Sequence, residues 1–325
     1  MNPFPVQRAH TLTATPPDRR WLIEDLWGDE AVGIVGGEPK CGKSLLALDM
    51  AVAVASGQPC LGRFHVRRTG RVLLYAAEDS LPIVRQRLEG VARHGGLDLA
   101  DLDIWLITAP AVRLDVPEHR QRLTATVETL KPVLLVLDPF VRLHRIDENA
   151  SAEVVPLLAF LRDLQRQFHC SVLIVHHARK GAAGVRAGQA LRGSSEFHAW
   201  ADAGIFLRWH RDSLVLSMEH RAHPAIPDLA LRLHVDGNDV ALVIDENPQP
   251  EPELPAVPEP QRILDALGQL AQPVSVRCLR EHCRMKTASV CDLLNELKLE
   301  GKVVNSPAGW SLAPPPPPFP VSHNP

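Results

Sequence analysis

The chain has 325 residues, of which 45% are hydrophobic and 22% are charged, and its formal net charge is -3. This length and apolar content allow a large buried core and favour more than one domain. The slightly acidic balance excludes a globally basic nucleic-acid-binding surface, so any contact with nucleic acid must come from local basic patches.

Proline-rich stretches divide the chain into segments. Residues 1–17 and 314–325 are expected to be a flexible N-terminus and a proline-rich tail, and residues 247–260 read as an extended Pro/Glu-rich linker. The expected folded domains are therefore residues 18–246, where strand and helix patterns alternate, and residues 261–313.

Apolar runs and cysteine spacing give an expectation for location. No run of about 18 apolar residues occurs, and the N-terminus lacks a charged region followed by an apolar core, so we expect neither a membrane span nor a secretion signal. The six cysteines include no C-x-x-C spacing, which favours reduced thiols. We therefore expect a cytoplasmic protein with no membrane partner.

The first strongly patterned element is a phosphate-binding loop. Residues 37–44 form a complete G-x-x-x-x-G-K-S motif between an apolar strand pattern at 31–35 and a helix pattern at 45–51, the context that the motif requires. Backbone N–H groups of such a loop hold phosphate oxygens, Lys43 reaches the β- and γ-phosphates, and the Ser44 hydroxyl ligates Mg²⁺. The expected nucleotide-binding residues are Gly37, Glu38, Pro39, Lys40, Cys41, Gly42, Lys43, Ser44 and Leu45.

Two further strand patterns end in acidic residues. The strand predicted at 71–77 runs into Glu78 and Asp79, and Glu78 is our candidate for orienting the attacking water. Asp79 is a second candidate, or else caps the following helix. The strand at 133–138 ends in Asp138, which we expect to support Mg²⁺, although an aspartate that starts a turn before proline fits the same pattern.

A fourth strand pattern leads into a pair of histidines and then a basic segment. Residues 171–175 run into His176 and His177, and either imidazole could sense the γ-phosphate, since spacing alone does not choose between them. Residues 178–192 follow with three glycines and four cations, which suit the backbone of single-stranded DNA or, alternatively, a solvated surface loop. The cations are Arg179, Lys180, Arg186 and Arg192.

Together these motifs resemble the RepA-like family of RecA-type ATPases, which includes hexameric plasmid replicative helicases. The resemblance covers roughly residues 15–245 and follows the family's order. Its motifs are Trp21-Leu22-Ile23-Glu24, the phosphate-binding loop, Glu78-Asp79-Ser80, Leu137-Asp138-Pro139, His176-His177 and Arg192-Gly193-Ser194-Ser195 followed by Ala201-Asp202.

The resemblance implies specific roles and one departure. It implies that Glu78 is the catalytic base, that a strand-end histidine contacts the γ-phosphate, and that a homo-oligomeric, hexameric ring hydrolyses ATP at subunit interfaces. The helicase branch places an arginine finger soon after the Gly-Ser-Ser motif, where the nearest match is Asp202. Arg192 and Arg208 are the alternative candidates. The choice of ATP over GTP depends mainly on this resemblance.

The expected fold class is α/β: a RecA-like P-loop NTPase with a mainly parallel central sheet and an antiparallel extension. The extension is predicted from strand patterns at 203–207, 214–218, 229–233 and 240–244.

Residues 261–313 are typical of a small winged helix-turn-helix domain. Helix patterns at 262–270, 276–282 and 286–299 precede two short strand patterns at 302–305 and 309–312. In a DNA-binding winged helix the third helix enters the major groove, which would place Lys286 near DNA. A module that binds a replication or regulatory protein has the same pattern.

The sequence thus favours an oligomeric, ATP-hydrolysing protein that acts on DNA, with single-stranded DNA as partner and a replication or repair helicase-like role. Its predicted catalytic residues are Lys43, Glu78, His176 and His177, and its cofactors are ATP and Mg²⁺. The alternative is a nucleotide-gated DNA-binding regulator or assembly factor with slow hydrolysis.

Overall fold

The computed structural model divides the chain into two compact units, Met1–Pro248 and Gln249–Pro325. It describes residues 3–12, 20–177, 195–210, 213–221, 223, 226–237, 239–246, 259–270, 272–283, 285 and 287–313. Across these ranges, no helix is long and apolar enough to cross a membrane.

The first unit is built on a nine-stranded sheet. A separate two-stranded sheet precedes it, formed by β1 (Trp21–Ile23) and β2 (Trp27–Gly28). The strands of the large sheet are β3 (Val32–Gly37), β4 (Val72–Ala76), β5 (Ile104–Leu106), β6 (Leu134–Asp138), β7 (Ser171–His177), β8 (Ala203–His210), β9 (Ser213–His220), β10 (Leu229–Asp236) and β11 (Asp239–Ile244). Its helices are α1 (Lys43–Ser56), α2 (Leu81–His94), α3 (Pro117–Leu130), α4 (Ser151–Phe168) and α5 (Glu196–Trp200).

The strand order is β11-β10-β9-β8-β3-β7-β6-β4-β5. Every pair from β8 to β5 is parallel, and the pairs from β8 to β11 are antiparallel. The expected fold class, a mainly parallel sheet with an antiparallel extension, is confirmed.

Two apolar layers cover the faces of this sheet. Leu74 and Val136 point into one layer together with Leu46 of α1, whereas the alternate residues Leu73 and Leu137 point into the other. Because both faces are covered, the central strands are apolar at nearly every position, as is usual for a parallel sheet. The polar residues that end these strands therefore collect at one edge of the sheet.

The register places the ends of four parallel strands side by side. Gly37 of β3 lies opposite His177 of β7, and Ala76 of β4 lies opposite Asp138 of β6. This edge carries the loops that follow the parallel strands, which is where open α/β sheets bind ligands.

The described part of the second unit contains three helices and a hairpin. These are α6 (Glu259–Leu270), α7 (Val276–Cys283), α8 (Thr287–Leu299), β12 (Val303–Ser306) and β13 (Gly309–Leu312). The amphipathic helices bury a small core that includes Ile263, Leu279 and Leu294. The predicted winged-helix fold is confirmed.

Candidate functional site

The phosphate-binding loop has the backbone that its glycines allow. Gly42 adopts a φ of 85° immediately before α1, and Gly37 adopts a φ of 151° at the end of β3. A side chain at Gly37 would put its Cβ 2.1 Å from the Leu207 carbonyl oxygen of the neighbouring strand. Glycine is therefore required both for backbone conformation and for the close approach of β3 to β8.

Lys43 and Ser44 begin α1 and turn toward the loop. The Lys43 side chain is buried, and its Nζ donates a hydrogen bond of 2.6 Å to the Glu38 carbonyl oxygen. At this helix terminus, first-turn N–H groups and the helix dipole favour an anion. The ammonium group, the backbone and the dipole thus supply positive charge at one place.

Asp138 faces Ser44 across the same site. Its carboxylate accepts a hydrogen bond from the Ser44 hydroxyl, and burial raises its pKa to about 6 in spite of that bond. A hydroxyl and a carboxylate are oxygen ligands that suit Mg²⁺, and a bound cation would stabilise the ionised form of this buried acid. The residues present therefore fit the metal expected from the sequence.

A cavity of about 530 Å³ connects these groups. Its lining includes Lys43, Ser44 and Asp138 together with Glu78 and His177. Lys40, Gly42 and Leu45 also line it. The structure thus brings together candidates that are up to 137 positions apart along the chain, from Lys40 to His177.

The rest of the loop shapes the site without lining this cavity. Pro39 is exposed, and Cys41 is buried beside the loop. Burial raises the pKa of the Cys41 thiol, which disfavours the reactive thiolate. Gly37 and Glu38 contribute backbone geometry and a carbonyl acceptor, respectively.

The two acidic residues after β4 have different partners. Glu78 accepts a hydrogen bond of 3.0 Å from Nε of Arg142, and its side chain is 44% exposed. Asp79 pairs with Arg87 of α2, while Ser80 holds the N-cap position of that helix. The idea that Asp79 caps the helix is therefore wrong.

The adjacent histidines point to opposite faces of β7, because successive strand residues alternate. His177 lines the cavity. His176 is 1% exposed and stacks on Phe197, with ring centroids 4.4 Å apart and an interplanar angle of 22°. It also makes an edge contact with Phe140. The prediction of His176 as a catalytic residue is not supported by its position, which is in the apolar layer behind the sheet.

The arginine-finger position also falls away from the cavity. Asp202 precedes β8 at the opposite edge of the sheet, where it accepts hydrogen bonds from Arg162 and from the backbone N–H of Val32. Arg208, one of the alternatives, pairs with Asp228 at 2.6 Å.

Several predicted DNA contacts cannot be compared with this geometry. They lie outside the described residues: Arg179, Lys180, Arg186, Arg192 and Lys286.

Two features of the site were missed from the sequence. Arg142, which contacts Glu78, lies four positions after Asp138, and a basic residue so close to a strand end was the available signal. Val240 of β11 also lines the cavity, and the neighbouring residue Asp239 forms an ion pair with Arg93 of α2. No local pattern could have revealed this contact.

Comparison with known proteins gives two family matches. Residues 2–183, more than half of the chain, match the family described as an AAA domain. Residues 247–309 match the DprA winged helix domain.

Solved structures give two likenesses. The crystal structure of the RadB recombinase is 18% identical with a TM-score of 0.47, over 66% of this chain and 90% of that chain. The structure of a DnaB-like replicative helicase, described with its interactions with primase, is 14% identical with a TM-score of 0.52, over 66% of this chain and 57% of that chain. At such identity the helicase likeness shows a RecA-like fold.

Proposed function

Because the chain belongs to the AAA domain family, we propose that it is an ATP-hydrolysing, oligomeric protein that acts on DNA. One observation carries the proposal: Lys43, Ser44, Asp138, Glu78 and His177 meet in a single cavity at the carboxyl edge of the sheet. A lysine, a hydroxyl with a buried carboxylate, and an exposed carboxylate are the groups that phosphoryl transfer to water needs.

Each group has a role that follows from its place. The Lys43 ammonium group would leave the Glu38 carbonyl oxygen and donate to phosphate oxygens instead, since a phosphate is the stronger acceptor. Ser44 and Asp138 would hold Mg²⁺, which neutralises developing charge on the phosphates. Glu78 would orient the attacking water, and His177 would contact the terminal phosphate.

We further propose that the protein forms a ring and binds DNA. The RepA-like resemblance supports a hexamer, and the basic segment 178–192 supports contact with single-stranded DNA. ATP as the nucleotide and a replication or repair role come from the same resemblance. We propose a helicase-like motor in which the second unit contacts DNA or a replication protein.

The test is steady-state ATP hydrolysis by the full chain, with and without single-stranded DNA. We expect stimulation by DNA, and loss of turnover in Lys43→Ala and in Glu78→Gln. Glu89→Gln is the matched control, because Glu89 lies on α2 in an exposed pair with Arg85 and does not line the cavity. Hydrolysis that survives Lys43→Ala and Glu78→Gln would contradict the assigned site.

A nucleotide-gated regulator is the second candidate. The described surface of α8 favours it, because Asp292 and Glu296 are exposed there and Leu299 is 90% exposed. An acidic helix with an exposed leucine suits a protein partner better than a phosphate backbone. Slow turnover that single strands do not change, with sequence-specific binding to duplex DNA or binding to a protein, would favour this candidate.

A further inference from the structure

A second cavity adjoins the nucleotide cavity at Glu78. It has a volume of about 240 Å³, and Glu78 lines both cavities. Among the residues that the structure describes, its charged lining consists of Glu78, Arg113 and Arg142. Tyr75 and small residues such as Ala111 complete the wall. Two guanidinium groups and one carboxylate leave this cavity with an excess of positive charge.

Arg113 contacts Arg142, and Arg142 in turn contacts Glu78. Arg142 lies in the short 3-10 turn Phe140–Arg142 that follows β6, and its Nε donates to Glu78. Arg113 donates from its guanidinium group to the backbone carbonyl of Arg142, which holds that turn in place. Arg142 therefore has a braced backbone and a side chain that is 60% exposed.

We propose that this second cavity binds a phosphate-type oxyanion, and that the anion draws Arg142 away from Glu78 and so frees Glu78 to serve the nucleotide cavity. The inference rests on the proposed function, in which Glu78 orients the attacking water. It makes Arg142 a positioning residue and Arg113 part of an anion site.

Charge and exposure favour the replacement of Glu78 by an anion as the partner of Arg142. A phosphate group offers more acceptor oxygens and more negative charge than one carboxylate, and the planar arginine fork suits it. The pair between Arg142 and Glu78 is exposed on both sides, so it is readily replaced. An exposed ion pair of this kind lowers the population of released Glu78 by at most about fivefold.

The oxyanion has two candidate sources with the same chemistry. One is inorganic phosphate, the product of hydrolysis, and the other is a phosphate of the nucleic-acid backbone. Either would make turnover depend on a ligand outside the nucleotide cavity, because an anion that contacts Arg142 releases the Glu78 carboxylate from its hydrogen bond.

The kinetic test uses the full chain and its Arg142→Gln, Arg142→Lys and Arg113→Gln variants. We expect Arg142→Gln to raise kcat by about two- to fivefold at unchanged KM for ATP, and to lose any further response to anions. Arg142→Lys should retain part of the restraint and of the response. Arg85→Gln is the control, because Arg85 is exposed on α2 and lines neither cavity.

Titrations with inorganic phosphate and with single-stranded oligonucleotide identify the source of the anion. A rise in kcat with only one of them assigns the site to that ligand. The proposal is overturned if kcat of Arg142→Gln is unchanged or lower, if neither anion raises kcat of the wild type, or if this variant responds to the anions as the wild type does.

A binding measurement keeps this inference separate from the proposed function. Phosphate and oligonucleotide binding are measured by calorimetry in Lys43→Ala, which weakens the phosphate-binding loop, and in the same variant carrying Arg113→Gln and Arg142→Gln. Weaker binding in the triple variant supports the anion site whether or not the protein hydrolyses ATP. Equal binding overturns the site even if hydrolysis depends on Lys43 and Glu78.

Discussion

Replacing Asp138 by asparagine should stabilise the protein in the absence of nucleotide. Burial raises the pKa of this carboxyl from 3.8 to about 6. The folded state thus keeps the proton to a higher pH than the unfolded state, so ionisation between these two values lowers stability as the pH rises. At pH values above the folded-state pKa, this loss of stability amounts to about 3 kcal/mol. Asparagine removes the loss, and its side-chain oxygen still accepts a hydrogen bond from Ser44.

The assay is urea unfolding of wild type and Asp138→Asn at several pH values, followed by tryptophan fluorescence. Five of the six tryptophans lie in the first unit, so the signal reports mainly on the domain that contains Asp138. We expect the variant to be more stable by about 1 kcal/mol near pH 4.5 and by about 3 kcal/mol near pH 7.5. Asp163→Asn, at an exposed position on α4, is the control and should change stability by no more than about 0.5 kcal/mol.

A stability difference that does not grow from pH 4.5 to pH 7.5, or a variant that is less stable than wild type at the higher pH, would refute the reasoning. The same substitution should abolish Mg²⁺-dependent nucleotide binding, because an amide is a weaker ligand for this cation than a carboxylate. Asp138 would then be a residue whose functional charge lowers the stability of the free protein.

Further substitutions test the loop and the two histidines. Gly37→Ala should lower the free energy of unfolding by about 1–3 kcal/mol, because its Cβ would meet the Leu207 carbonyl oxygen at 2.1 Å; unchanged urea unfolding would show that β3 and β8 can separate there. His177→Ala should lower kcat while leaving the unfolding midpoint nearly unchanged, since His177 lines the cavity. His176→Ala should leave kcat nearly unchanged and lower the free energy of unfolding by about 1–3 kcal/mol, because the stack on Phe197 is lost. Equal kinetic effects of the two histidine variants would contradict their assignment to opposite faces.

Local sequence patterns determined most of the framework of this protein. The phosphate-binding loop is readable because its strand, turn and helix are contiguous, and the two turn conformations at Gly37 and Gly42 suit glycine. Buried parallel strands are continuous apolar runs, so the acidic residues at or just after their ends, Asp138 and Glu78, mark one edge of the sheet. The antiparallel extension and the winged helix follow from similarly local periodicity.

Only the tertiary structure decided which of these residues share a site. A strand that is apolar on both faces carries no signal of which residue faces which layer, so the choice of His177 over His176 required the packing of α1 and Phe197 on opposite sides of β7. The contacts of Arg142 with Glu78 and of Val240 with the cavity likewise join segments far apart in sequence. Such pairings depend on strand order and on helix packing, which many sequences of the same local pattern could satisfy differently.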